Sequence, residues 1–237
     1  MIGWPGTGLP GSPLLSAQLV ALGESDCELL GDGNLAQPVN ALTSVGYVLI
    51  GAVVMARATR LRTRRAEALL FGVLLIGVGV GSVLFHGPQP AGSKAMHDLP
   101  ILLVGVLMLV HDVALLRPSV RALRVFAVIA PVVALLGLAF PPVVPGATAV
   151  VLVAVVVLEL VVQRRRARPV ARSVELRSYL VMSALAAAGG LSYALGRTGA
   201  PLCDPDSVVQ PHGLWHLLSG LVFATWWWLA YAAVDPR

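Results

Sequence analysis

Charge is what this chain has least of. Only 12% of its 237 residues are Asp, Glu, Lys or Arg, against about 25% in an average soluble domain. So little charge cannot solvate a globule of this size, and it equally excludes a disordered chain. Lysine is almost missing: of the 17 basic residues, Lys94 alone is not Arg. That bias points to a GC-rich coding genome and a bacterial source. The net charge of +5 does not make nucleic acid an expected partner, because most of the length carries no charge at all. Basic residues are absent from positions 1–37, so the positive n-region of a secretory signal peptide is lacking. This stretch is expected to be retained as an extracytoplasmic N-terminal segment. Its apolar run at 14–22 is too short to span a bilayer; an interfacial segment and a mobile end both remain open.

What the chain has instead is apolar length, with 57% hydrophobic residues and a mean hydropathy of +0.82. A helix crosses a hydrocarbon core of ~30 Å in roughly 20 residues. Apolar runs of that size fall at 38–56, 67–86, 96–116, 122–140, 144–162, 176–196 and 211–233. The expectation is an all-α integral membrane bundle of seven helices occupying 38–237, among membrane lipids. The runs are continuous rather than alternating, which argues against strands. Basic residues mark cytoplasmic loops. Arg57, Arg60, Arg62, Arg64 and Arg65 lie between the first two runs, and Arg117, Arg121 and Arg124 between the third and fourth. Arg164, Arg165, Arg166, Arg168, Arg172 and Arg177 lie between the fifth and sixth, and Arg237 ends the chain. Lys94 and Arg197 are left for the other side, which gives an N-outside, C-inside topology in a bacterial cytoplasmic membrane.

Polar residues at membrane depth are costly and mark function. His86 ends the second run, His97 and Asp98 open the third, and His212 and His216 open the seventh. All lie near the outer face. The pair in H-G-L-W-H is spaced i, i+4, so both rings share one helix face. Two such ligands plus a third suit a zinc ion with its fourth position open to water. His86 is the best third ligand, with Ser82 one turn before it on the same face and Gly77, Gly79 and Gly81 thinning that helix. Histidines hydrogen-bonded between helices remain the alternative. A bis-His haem finds no matching pair on a second helix. His111 and Asp112, roughly 20 Å from the cluster, read as interfacial. Glu159 reads as a snorkelling side chain, and Trp226, Trp227 and Trp228 as lipid or packing contacts.

Three blocks now carry a family resemblance. Gly79-Val80-Gly81-Ser82-Val83-Leu84-Phe85-His86, Asp98-Leu99-Pro100 and His212-Gly213-Leu214-Trp215-His216 resemble the G-x-G-S-x-x-F-H, D-x-L-P and H-x-x-W-H blocks of the alkaline ceramidases. These are seven-helix zinc hydrolases related to the adiponectin and progestin receptors. Pro38-Val39-Asn40 and Ser44 resemble the first-helix block, with Gln37 where the family has Glu and Ser44 at its second Asn. The resemblance implies zinc on His86, His212 and His216. It implies Asp98 and Ser82 as catalytic groups, and hydrolysis of a lipid amide such as ceramide to a fatty acid and an amine.

The family's calcium motif D-W-C-E is replaced by Ser25-Asp26-Cys27-Glu28. Asp26, Glu28 and Asn34, with Glu24 and Asp32 nearby, are candidate calcium ligands, and a solvated acidic loop is the alternative. The topology puts Cys27 and Cys203 outside, where disulfides persist, and the family has a comparable pair; separate thiols remain open. Two rivals stand beside the hydrolase: a zinc-containing receptor or lipid-binding protein without turnover, and a transporter, which the lack of inverted repeats disfavours. Oligomeric state is not legible.

Overall fold

The computed structural model describes residues 22–235. Nearly all of the apolar run at 14–22 lies outside them, as does Arg237. The described residues form seven long α-helices and no strand: α1 Pro38–Ala58, α2 Arg65–His86, α3 Ser93–Leu116, α4 Ala122–Ala139, α5 Val144–Arg165, α6 Arg172–Leu195 and α7 Pro211–Trp227. Six of them, α1 to α6, are long and apolar enough to cross a membrane. The α-helical part of α7 has 17 residues and runs directly into a π-helical turn at Trp228–Ala232. Pro38 and Pro211 sit in the first turns of α1 and α7, where a missing N–H has no cost.

Packing follows a chain of neighbours. Helix α1 lies on α2 and α7, α2 on α3, α3 on α4 and α5, and α6 on α7. Consecutive helices α5 and α6 have no comparable interface, so the bundle is parted there. The α2–α3 contact is backbone against backbone: a Cβ at Gly81 would stand 1.8 Å from the Met96 carbonyl oxygen. Only glycine permits that approach, and it sets the C-terminus of α2 beside the N-terminus of α3.

The segment before α1 is stitched to the α6–α7 loop. Cys27 and Cys203 form a disulfide with Cα atoms 5.5 Å apart, as expected. Thr198 Oγ1 accepts from the Cys27 N–H and donates to the Glu24 carbonyl. The Glu28 carboxylate caps α1, accepting from the N–H groups of Val39 at 2.7 Å and Asn40 at 2.8 Å.

The other end of the bundle corrects one expectation. Glu159 does not snorkel: it is 5% exposed, because Arg168 folds back from the α5–α6 loop to meet it. The two guanidinium nitrogens donate to Glu159 at 2.6 and 2.7 Å, and one also reaches Asp112 at 3.0 Å. Tyr179 and the Trp226 indole donate to the same Glu159 carboxylate. Burial alone would pull the Arg168 guanidinium down; its bonds and charge interaction with Glu159 outweigh this and raise it. His111 and Asp112 are fully buried within the bundle at 0% exposure. His111 pairs with Glu67 at 2.5 Å, and Tyr231 donates to Glu67 at 3.1 Å. Trp226 thus serves the buried network, whereas Trp228 is 40% exposed. A bidentate guanidinium substitutes for water around buried carboxylates, which snorkelling would otherwise have to reach.

Candidate metal centre

Three helix ends converge at the side opposite this network. His86 is the last residue of α2, and His212 and His216 lie on the first turns of α7. All three are buried. Ring centroids are 5.0 Å apart for His86 and His212, 5.1 Å for His86 and His216, and 4.6 Å for His212 and His216. One ring nitrogen from each lies within 4.8 Å of the others, and no other group of three metal-capable His, Cys, Asp or Glu forms among the described residues.

The hydrogen bonds fix which nitrogens are free. The Gln37 amide nitrogen donates to the carbonyls of Gly23 at 2.9 Å and Glu28 at 2.7 Å. Its oxygen must therefore accept, so His86 Nδ1–H donates to Gln37 Oε1 at 2.7 Å. His86 Nε2 is left with a lone pair and no partner. Around His216 the logic repeats. Thr43 Oγ1 donates to the Val39 carbonyl and Ser44 Oγ to the Asn40 carbonyl. Both hydroxyl oxygens then accept from His216 Nδ1–H, at 3.1 and 3.2 Å. His216 Nε2 is likewise unpartnered. His212 Nδ1 faces Asp26 Oδ1 at 3.6 Å, longer than a hydrogen bond. Buried imidazole nitrogens without partners are rare. Imidazoles oriented from behind while their second nitrogens converge are the arrangement of metal ligands, and the triad could hold a metal ion.

A cavity of about 390 Å³ opens beside the triad, lined among others by Ser82, Asp98, His97, His212 and His216. Of the site residues expected from sequence, Asp26, Ser82, Asp98, His212 and His216 line this chamber, and His86 reaches it only through its ring contacts with His212 and His216. The chamber extends further than the sequence implies, because Pro145, Thr148 and Leu152 of α5 and Tyr193 of α6 also line it. The chamber therefore lies on the side where α5 and α6 part. Asp98 is held by two donors: Lys94 Nζ at 2.8 Å and His97 Nδ1 at 2.7 Å. The His97 ring stacks on Phe85 at 4.6 Å, which fixes its plane. Ser82 Oγ lies 2.8 Å from Ser44 Oγ. Since Ser44 has given its proton to the Asn40 carbonyl, Ser82 is the donor in that pair.

The candidate calcium ligands are engaged otherwise. Both Glu28 oxygens accept backbone N–H groups. Asp26 Oδ1 accepts from Ser25 Oγ and faces Arg197 and His212, and Asn34 is exposed. The carbonyls of Gly23 and Glu28, natural oxygen ligands, already accept from an amide donor. Such a donor-filled pocket does not fit a hard cation. Sequence reasoning named Gln37 and Ser44 only as departures from a family block, and it did not single out Thr43 or the side-chain contacts of Lys94. Their partners lie on other helices, so no local pattern announces them.

The family model described as Ceramidase matches residues 33–235, which takes in all seven helices and every residue of the triad. No curated protein matches the chain in sequence.

Proposed function

The chain belongs to the ceramidase family, and from that premise we propose that it is a zinc-dependent hydrolase of lipid amides, ceramide or a related N-acyl lipid. One observation carries this reading: two buried, unpartnered imidazole nitrogens converge with a third histidine beside a chamber that Asp98 and Ser82 also line.

Three neutral imidazoles are a donor set suited to zinc, which when bound supplies a Lewis acid and brings the pKa of a coordinated water to about 7. Gln37, Thr43 and Ser44 hold the ligand rings in the tautomers this requires. Asp98 accepts the proton of the attacking water as its oxygen bonds to the carbonyl carbon. Asp98 then returns that proton to the amine nitrogen as the C–N bond breaks, leaving fatty acid and amine. Lys94 and His97 keep the carboxylate aimed. Ser82 turns its hydroxyl proton from Ser44 to the developing oxyanion.

Seven spans with the N-terminus outside are the membrane placement we favour, α7 being completed by its π-turn. The Arg distribution supports that orientation. It puts the triad near the outer face, and a lipid would then enter through the parting of α5 and α6, its acyl chain passing Ile101 and Leu152. The test is direct. Purified protein in micelles is given ceramide, and released fatty acid is counted by mass spectrometry. Zinc-loaded protein should hydrolyse it, stripped protein should not, and zinc should restore the activity. A rate no higher than that of Asp98→Ala on ceramide, N-acyl ethanolamine and N-acyl amino acid alike would sink the proposal.

A further inference from the structure

Helices α1 and α7 touch closely near the metal centre and part at the far end. A Cβ at Gly46 would stand 2.9 Å from Leu217, and one at Gly220 2.8 Å from Ile50. Beyond that contact α7 changes to the π-turn at Trp228–Ala232. A π-turn inserts an extra residue into the helical ladder and shifts the chain beyond it, and such turns concentrate at functional sites. Between the parted ends lies a groove of about 650 Å³. Its lining is mostly apolar, with Ile50, Val53, Val54, Ala224 and Trp227, and it is joined by the exposed Arg57 and Arg60.

Like most of the chain's arginines, these two have no carboxylate partner among the described residues; what sets them apart is their place on the groove. Arg168, Arg197 and Lys94 each meet a carboxylate. Arg57 and Arg60 are exposed, and neither forms an ion pair among the described residues. Asp235 does not serve them: its oxygens accept from the N–H groups of Arg62 and Thr63 and the Thr63 hydroxyl. The groove thus presents two unneutralised guanidiniums beside an apolar slot, with an exposed indole, Trp228, at its edge.

We propose that this groove seats one anionic phospholipid, its phosphate on Arg57 and Arg60 and an acyl chain laid between α1 and α7. Guanidinium groups match phosphate oxygens in geometry and charge, and indoles favour the headgroup level of a bilayer. Basic pockets between membrane helices are where acidic headgroups lodge. A zwitterionic lipid would bring a cation to a groove whose nearby carboxylate, Asp235, is already satisfied. The site lies roughly 25 Å along α1 from the metal centre, at 1.5 Å per residue, so it is not where the amide is cut. The bound lipid would wedge the parted helix ends and stabilise the fold by mass action.

Native mass spectrometry of the full chain, offered phosphatidylglycerol and phosphatidylcholine in equal amounts, tests this. One phosphatidylglycerol should be retained per chain, and the melting temperature should rise with it. Arg57→Gln/Arg60→Gln should reduce the preference for phosphatidylglycerol by about 30-fold while leaving metal content unchanged. Val53→Trp, which fills the slot without touching a charge, should also expel the lipid. Arg117→Gln/Arg121→Gln removes the same charge elsewhere and should have no effect. Equal loss in both arginine pairs would reveal only general attraction to acidic membranes and overturn the site. So would equal retention of phosphatidylcholine, or full displacement by inorganic phosphate, which would mark a free-anion site.

Discussion

Gln37 and His86 are joined twice. The Gln37 backbone N–H donates to the His86 carbonyl at 2.7 Å, and the His86 ring donates back to the Gln37 side chain at 2.7 Å. The first bond closes the C-terminus of α2, and the second sets the imidazole tautomer. Gln37→Leu keeps the backbone bond and removes only the second. Losing such a partner typically weakens metal binding by about 10- to 100-fold. Competition with a chromogenic chelator should show that loss in Gln37→Leu, with circular dichroism unchanged. Wild-type affinity in the variant would deny Gln37 this role.

Gln37 also decides the response to calcium. In the wild type its amide nitrogen fills the Gly23 and Glu28 carbonyls, so chelating calcium should leave both metal content and melting temperature unchanged. Gln37→Glu replaces the donor with an acceptor. Oxygens then face each other with no proton between them, an arrangement that calls for a cation. That variant should lose stability and regain it on adding calcium. A wild type that melts earlier in calcium chelator would contradict the account.

The spans were legible because continuous apolar length leaves a membrane chain few alternatives, and the observed α1 to α6 follow those runs closely. The His triad was legible because two of its members share a helix face and all three end helices at one level. Gln37 was not, since it lies 49 residues from His86 in sequence and meets it only when α1 and α2 pack. Arg168 misled for a similar reason: a loop arginine near a helix-end glutamate reads as solvated until the loop folds inward. The parting of α5 and α6 has no sequence signature either, because lipid and protein are equally apolar neighbours.

Asp98 has both oxygens engaged, by Lys94 and His97. Asp98→Asn should retain zinc but lose amide hydrolysis by about 10²-fold or more. Lys94→Met leaves the carboxylate in place but less restrained, and should lower kcat by a smaller factor at nearly unchanged zinc content. Equal activity of Asp98→Asn and wild type would transfer the proton chemistry to His97, with His97→Gln as the next variant.

Arg168 is the keystone of the buried network. Arg168→Met strands Glu159 and Asp112 without their shared cation, and breaking a buried pair in this way costs about 3–5 kcal/mol. Arg168→Lys should recover only part of that, because an ammonium cannot serve Glu159 bidentately. Arg166→Met, at an exposed neighbour, should change stability by less than about 0.5 kcal/mol. Unfolding in mixed micelles measures all three. Similar losses for Arg166→Met and Arg168→Met would show that loop charge matters and the buried contacts do not.

At the Arg-rich end, His111, Asp112, Glu159 and Arg168 fill the space between the helices and are all buried. A water path from that side would have to pass a network whose members already bond one another. At the opposite end the chamber is lined by Lys94, Arg197 and Asp98, polar groups that water can reach. If the arginines are cytoplasmic, hydrolysis draws its water from outside and delivers the amine there. Ala91→Cys and Ser119→Cys place single thiols on exposed turns at the two ends, and the native cysteines, being bonded to each other, do not react. In intact cells an impermeant maleimide should label position 91 and spare 119, and lysis should expose 119. An impermeant zinc chelator added outside should then stop amide hydrolysis in the same cells. Labelling of 119 alone would invert the topology. Correct labelling with inhibition only from the inner side would keep the topology and place the water path through the Arg168 network, a result that Arg168→Met would then be expected to enhance.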